Sequence, residues 1–241
     1  YVQESLFDEN AMNDVISNFM LPDVTINANI QEAEYKNWNE EWEEAGFERI
    51  NINDSITIYD ARHDDGNGIA SGISIGIETK QAFGTGTHET TRMIVSTLLN
   101  IDLKGKRVLD CGCGTGILGI AASKLGASEV VGYDIDEWSS ENAIHNAELN
   151  GVGNMKVMLG DASVLKSVEG KFDVVLANIN RNILLADMPA FVSVMADDSL
   201  LILSGFYASD VDLLIEKASS LGLSKIDSKS DSEWTCLVLK K

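Results

Sequence analysis

The chain has 241 residues, 44% of them hydrophobic, which suffices for one large domain plus a small one and is too apolar for a disordered chain. Its 38 acidic against 18 basic residues give a formal net charge of −20, which argues against binding duplex nucleic acid through its phosphates and suits a basic partner. No apolar run approaches the ~20 residues of a membrane helix, and no signal peptide is visible, so no membrane association is expected.

The first residue is Tyr1 rather than Met, which predicts a start that is missing or processed. Residues 10–20 have helical spacing, with Met12, Val15, Ile16 and Phe19 on one face and Pro22 beyond the end. Residues 24–30 read as a strand. One helix and one strand cannot stand alone, so residues 1–33 read as part of a small α+β unit. Residues 32–48 are rich in Glu and carry Trp38 and Trp42 at i, i+4, which predicts an acidic helix between the two units. Its Trp pair would pack on the main domain or face a basic partner. We therefore divide the chain into 1–33, a connection at 34–46 and a main domain at 47–241.

Strands are expected at residues 47–52, 55–59 and 73–78, with an Asp-Asp-Gly-Asn-Gly turn and an exposed His63 between the last two. Residues 81–91 concentrate two glycines, four threonines and Phe83 just before a helix over 88–99. Thr87 is the expected N-cap, and the polar segment before it could fold over a ligand. His88 reads as a cap-side residue or a general base.

Residues 108–119 then give an apolar strand ending in Asp110, glycines at 112, 114 and 116, and a helix stopped by Gly126. Alternate glycines let backbone approach a ligand where a Cβ would clash, and the free N–H groups of the helix start would face that ligand. Gly114-x-Gly116-x-x-Gly119 with Asp134 downstream fits a dinucleotide site or an S-adenosylmethionine (SAM) site. Asp110 favours SAM, because a carboxylate there repels a pyrophosphate and suits a cationic amino acid end. Cys111 and Cys113 have no other metal-type ligand nearby, so they read as packing residues and no metal is expected. Reduced cysteines imply a cytoplasmic address.

The rest alternates strand and helix. A strand at 129–135 delivers Asp134, placed to hold ribose hydroxyls. A helix over 138–150 follows, then a strand at 155–159 and Asp161, which is either a turn cap or a ligand contact at a strand's carboxyl end. The unbroken apolar strand 172–179 delivers Asn178, and Asn180 after it. A helix to about residue 195, interrupted at Pro189, precedes a strand at 200–204, a helix at 211–221 and a final antiparallel pair at 224–226 and 235–239. This pattern predicts an α/β fold with a doubly wound, mostly parallel seven-stranded sheet carrying one reversed strand.

Asp110-Cys-Gly-Cys-Gly-Thr-Gly116, Asp134 and Leu176-Ala-Asn178-Ile resemble the class I SAM-dependent methyltransferases, whose fold is Rossmann-like. Ala82-Phe-Gly-Thr-Gly-Thr-His-Glu-Thr-Thr91, Trp38-Asn-Glu-Glu-Trp42 and Glu233-Trp234 resemble, more narrowly, the ribosomal protein L11 methyltransferases (PrmA type). The resemblance implies SAM as cofactor, S-adenosylhomocysteine as product, and ribosomal protein L11 as the basic substrate, methylated on lysine side chains and its α-amine. It implies that residues 1–33 are the remainder of a substrate-binding domain. It carries SAM contacts to Thr91, Gly112, Asp134 and Asn178, with Phe83 and Thr91 closing over the cofactor and Asn178 orienting the amine. Asp110, Gly114, Gly116 and Asp161 complete the expected cofactor site. The family's Asn-Ile-Leu is here Asn178-Ile-Asn180-Arg-Asn-Ile-Leu184, an apparent insertion. Related glutamine and adenine methyltransferases place prolines after this Asn or Asp, and none follows Asn178. A nicotinamide dehydrogenase and a SAM-independent binding module remain as rivals. The enzyme is expected to act as a monomer without binding nucleic acid.

Overall fold

The computed structural model describes residues 7–19, 24, 26–30, 46–69, 72–79 and 84–241. The expected connection with Trp38 and Trp42 falls almost wholly outside these residues, and so does Phe83. The chain divides into two compact units, residues 1–37 and 38–241.

In the first unit, helix α1 (Glu9–Ser17) starts at Asp8, whose carboxylate accepts from the Ala11 N–H at 3.0 Å. Met12 and Ile16 are half-buried, whereas Val15 and Phe19 of the expected face are exposed. Residues 26–30 form no strand, contrary to their alternating pattern. A strand needs a partner ladder, and the described residues provide none here.

In the second unit, β1 (Ile50–Ile52), β2 (Ile56–Asp60) and β3 (Ile73–Ile77) form a three-stranded sheet, β1 antiparallel and β3 parallel to β2. The larger sheet contains β4 (Arg107–Cys111), β5 (Glu129–Asp134), β6 (Met155–Leu159), β7 (Phe172–Asn178), β8 (Met195–Tyr207), β9 (Ser224–Asp231) and β10 (Trp234–Lys240). Its order is β6-β5-β4-β7-β8-β10-β9, and β10 runs antiparallel to both neighbours, so one strand is reversed as the sequence predicts. The last three strands are longer than the expected 200–204, 224–226 and 235–239. Ladder hydrogen bonds carry them past the apolar residues into Lys, Ser and Asp.

Helices α2 (Glu89–Leu98), α3 (Ile117–Lys124), α4 (Glu137–Leu149), α5 (Arg181–Val194) and α6 (Val211–Ser220) cover the sheet. Two apolar cores result. One joins the small sheet and helices α2 to α4 through Ile58, Ile75, Ile94, Leu98 and Ile120. The other packs α5 and α6 on the opposite face through Phe172, Phe191, Phe206 and Leu214. Each such side chain contributes about 1.5–3 kcal/mol by leaving water. Helix α5 continues through Pro189, which lies on its exposed side, where water can bond the carbonyl the ring leaves unpaired.

Between the cores, the carboxyl ends of β4, β5 and β7 meet at one edge. Gly205, with φ of +89°, lets β8 pass there; a Cβ would stand 2.5 Å from the Ile179 carbonyl oxygen. Gly205→Ala is therefore expected to cost about 1–3 kcal/mol in urea unfolding, because both its conformation and its neighbour resist the methyl group. A variant as stable as the parent would show that the backbone after Asn178 yields freely.

Candidate active site

A cavity of about 790 Å³ opens at this carboxyl edge, where ligands of open α/β sheets bind. Thr91, Gly112, Gly114, Asp134, Asp161 and Asn178 all line it. Asp110 and Gly116 do not.

The glycine turn explains the difference. Gly112, Gly114 and Gly116 have φ of +67°, +53° and +79°, so all three need the freedom of glycine. Their N–H groups, however, do not face a ligand. Gly112 and Cys113 donate to the Tyr133 carbonyl at 2.9 and 3.0 Å, and Gly116 donates to the Cys113 carbonyl at 2.8 Å. Gly114 donates to Asp134 Oδ2 at 2.9 Å. The turn thus builds no anion nest. Gly116 instead seats α3 against α4, where a Cβ would stand 3.1 Å from that of Ala143.

Asp110 is fully buried behind the turn, and its Oδ2 accepts the Gly119 N–H at 2.9 Å. Its Oδ1 has no hydrogen-bond partner. In place of the direct contact with a cationic ligand expected from the sequence, Asp110 braces the first turn of α3. Burial pushes its pKa up to about 7, with the Gly119 N–H opposing and the Asp134 charge adding. Burial also pushes the Cys111 and Cys113 thiols well up, so they stay protonated packing groups. Among the described residues no cluster of His, Cys, Asp and Glu could hold a metal.

Asp134 ends β5 on the cavity wall. Its second oxygen accepts from the Asp136 N–H at 3.1 Å, which fixes the carboxylate while leaving lone pairs for a diol. Asp161 takes the cap role that the sequence allowed, at a position on the cavity wall. It caps a short helix (Ala162–Ser167) through the Ser163 N–H at 2.9 Å, and it lines the cavity. The Ser163 hydrogen bonds hold its carboxyl below the usual range. Exposed Ile135 forms an apolar lip nearby.

At the other end, Asn178 terminates β7, and its Nδ2 donates to Thr91 Oγ1 at 3.4 Å. That bond turns the carbonyl oxygen away from α2. The apparent insertion after Asn178 has a local cause: Asn180 is the N-cap of α5 and accepts from the Asn182 and Ile183 N–H groups. His88, not Thr87, caps α2, with its Nδ1 accepting from the Thr90 N–H at 3.3 Å. Its ring meets Trp234 edge-on at 4.8 Å, and Tyr207 lies 4.5 Å from Trp234 on another side. These contacts fit the cap-side reading of His88, which also lines the cavity.

Gly205, Ile183 and Asp187 also line the cavity, and sequence reasoning assigned them no role. Helical periodicity located the helix carrying Ile183 and Asp187, but only packing shows which of its faces borders the site. Burial and the Asp161 charge hold the Asp187 carboxyl above the usual range.

These features fit SAM better than a dinucleotide. Engaged glycine N–H groups and the cavity carboxyls of Asp134, Asp161 and Asp187 disfavour phosphate and favour a cation. The pK shift of Asp110 gives a test. Because the folded value is raised, its stabilising contribution is whole below pH ~4 and lost as pH rises through about 7. Asp110→Asn should therefore gain about 1–3 kcal/mol over the parent between pH 4 and 8 in ligand-free unfolding. A difference that does not change with pH overturns this account.

Comparison with known proteins agrees. A family model described as ribosomal protein L11 methyltransferase (PrmA) matches residues 2–241. The ribosomal protein L11 methyltransferase of Phocaeicola vulgatus is 47% identical over 237 residues, spanning 98% of this chain and 83% of that protein. That of Bacteroides fragilis is 44% identical over the same length, 98% of this chain and 84% of its own. The crystal structure of ribosomal protein L11 methylase from Lactobacillus delbrueckii subsp. bulgaricus aligns with a TM-score of 0.73 at 30% identity, covering 80% of this chain and 98% of that one. The chain belongs to the ribosomal protein L11 methyltransferase family.

Proposed function

We propose that this protein transfers methyl groups from SAM to amine nitrogens of ribosomal protein L11, on lysine side chains and the α-amine. The observation that carries this reading is Asn178, tethered by Thr91 at the wall of an acidic cavity and offering a neutral carbonyl oxygen beside the glycine turn.

SAM, when bound, supplies a methyl group on a positively charged sulfur and leaves as neutral S-adenosylhomocysteine. Gly112 and Gly114 would give it close backbone approach, Asp134 would accept its ribose hydroxyls, and Asp161 would border its base. The chain's own task is then to present an amine in its neutral form, since an ammonium has no lone pair. The carbonyl of Asn178 accepts an N–H from the amine and so aims the lone pair. Thr91 prevents the amide from rotating away. Positioning of this kind, together with exclusion of water, is where the rate gain arises. No side chain is assigned as a dedicated base.

Substrate binding falls, in this reading, to residues 1–33 and the connection at 34–46, and the methyltransferase domain is 47–241. A net charge of −20 speeds encounter with a basic ribosomal protein. Among the described residues no helix is long and apolar enough to cross a membrane, and the reading places a monomeric enzyme in the cytoplasm with its substrate.

Incubation of purified L11 with the protein and SAM should add mass in whole methyl steps by intact-mass spectrometry. Asn178→Ala should slow transfer about 100-fold, the scale of a lost orienting contact, while SAM affinity by calorimetry changes less than three-fold. Equal losses in both would remove the orienting role. An unmodified L11 beside a SAM-binding protein would redirect the search to another amine.

A further inference from the structure

Helix α4 and its C-cap carry Asn142, Asn146 and Asn150 at four-residue spacing, so the three amides share one face. That face lies along the open edge of β3. Asn150 pairs with both polar groups of Gly76, its Oδ1 accepting from the N–H at 3.0 Å and its Nδ2 donating to the carbonyl at 2.7 Å. Asn146 repeats the pattern on Glu78, accepting at 2.9 Å and donating at 3.1 Å. Asn142 donates to the same carbonyl at 2.9 Å. The helix thus supplies amides where a fourth strand would supply peptide groups.

Asn146 does one thing more. It is fully buried, and its Nδ2 also donates to the Thr115 carbonyl at 3.0 Å, inside the glycine turn. Thr115, fully buried too, donates its hydroxyl to the Gly84 carbonyl at 2.5 Å. Gly84 has φ of +112°, and a Cβ there would stand 2.9 Å from that hydroxyl. The ring is therefore closed: Glu78 to Asn146, Asn146 to Thr115, Thr115 to Gly84, and Gly84 along the chain back to Glu78. Beyond Gly84 the chain reaches His88, the cap of α2, and then Thr91, which holds Asn178.

We propose that Thr115, held by Asn146, is a positioning residue that sets the register of the segment starting at Gly84 against the glycine turn, and thereby the affinity of the site for SAM. This rests on the reading that the turn receives SAM. The bond ties a fully buried hydroxyl to the carbonyl of a half-buried residue on the cavity wall, so its loss frees that wall segment from the glycine turn. Thr115 touches neither cofactor nor substrate in this scheme. It acts through Gly84, which lines the cavity, and is itself held through its carbonyl by Asn146.

Thr115→Val removes the hydroxyl and keeps the shape, whereas Thr115→Ser keeps the hydroxyl. Thr115→Val should raise both the calorimetric Kd and the KM for SAM about ten-fold, with the KM for L11 changing less than two-fold. Thr115→Ser should stay within two-fold of the parent in all three. Asn146→Ala, read below its own melting temperature, should move the SAM Kd in the same direction. A purely structural role would lower the melting temperature of Thr115→Val and leave its SAM Kd unchanged, and that result overturns the proposal. So does a Thr115→Ser protein as weak as Thr115→Val. A parent protein that binds no SAM at all would instead overturn the functional reading on which the proposal rests.

Discussion

The structure depends on how the turn between β4 and α3 spends its backbone N–H groups. In a phosphate-binding loop these donors converge on the ligand. Here Gly112, Cys113, Gly114 and Gly116 give theirs to Tyr133, Asp134 and Cys113. Gly119 gives its own to Asp110. The turn keeps the close approach that glycine permits, while its glycine N–H groups are already engaged. A ligand with its own positive charge suits such a surface, and the carboxylates around it confirm the sign.

That arrangement also sets a cost. Asp110 is buried with one oxygen unpartnered, so its charged form is disfavoured. Asp134 avoids this by accepting two backbone N–H groups. Asn178 avoids it by being neutral. The cavity therefore holds a satisfied carboxylate and an uncharged amide, with the poorly satisfied carboxyl of Asp110 buried behind its glycine turn.

The two apolar cores keep these groups in register. Parallel strands β4, β5 and β7 end together because the same sheet face packs on α3 and α4 while the other packs on α5. The small sheet is not an appendage to this. Its outer strand is bonded to asparagines of α4, and α4 in turn grips the glycine turn.

Strand and helix alternation, the glycine turn, Asp134 and Asn178 were legible in the sequence, because each rests on local chemistry: apolar runs, positive-φ positions and residues at strand ends. Thr91, Gly112, Gly114 and Asp161 reach the cavity as the motif implies. The tertiary structure alone decided the rest. Asp110 and Gly116 sit in the same motif yet face away from the cavity, since a turn has two sides and spacing does not tell them apart. His88, whose ring packs on Trp234 from the far end of the chain, takes the cap that local chemistry gave to Thr87. Residues 26–30 alternate like a strand without forming one, because no described neighbour offers a ladder. Asn146 and Thr115 carry no motif at all; their importance arises from hydrogen bonds across 31 positions of sequence, which no local pattern encodes.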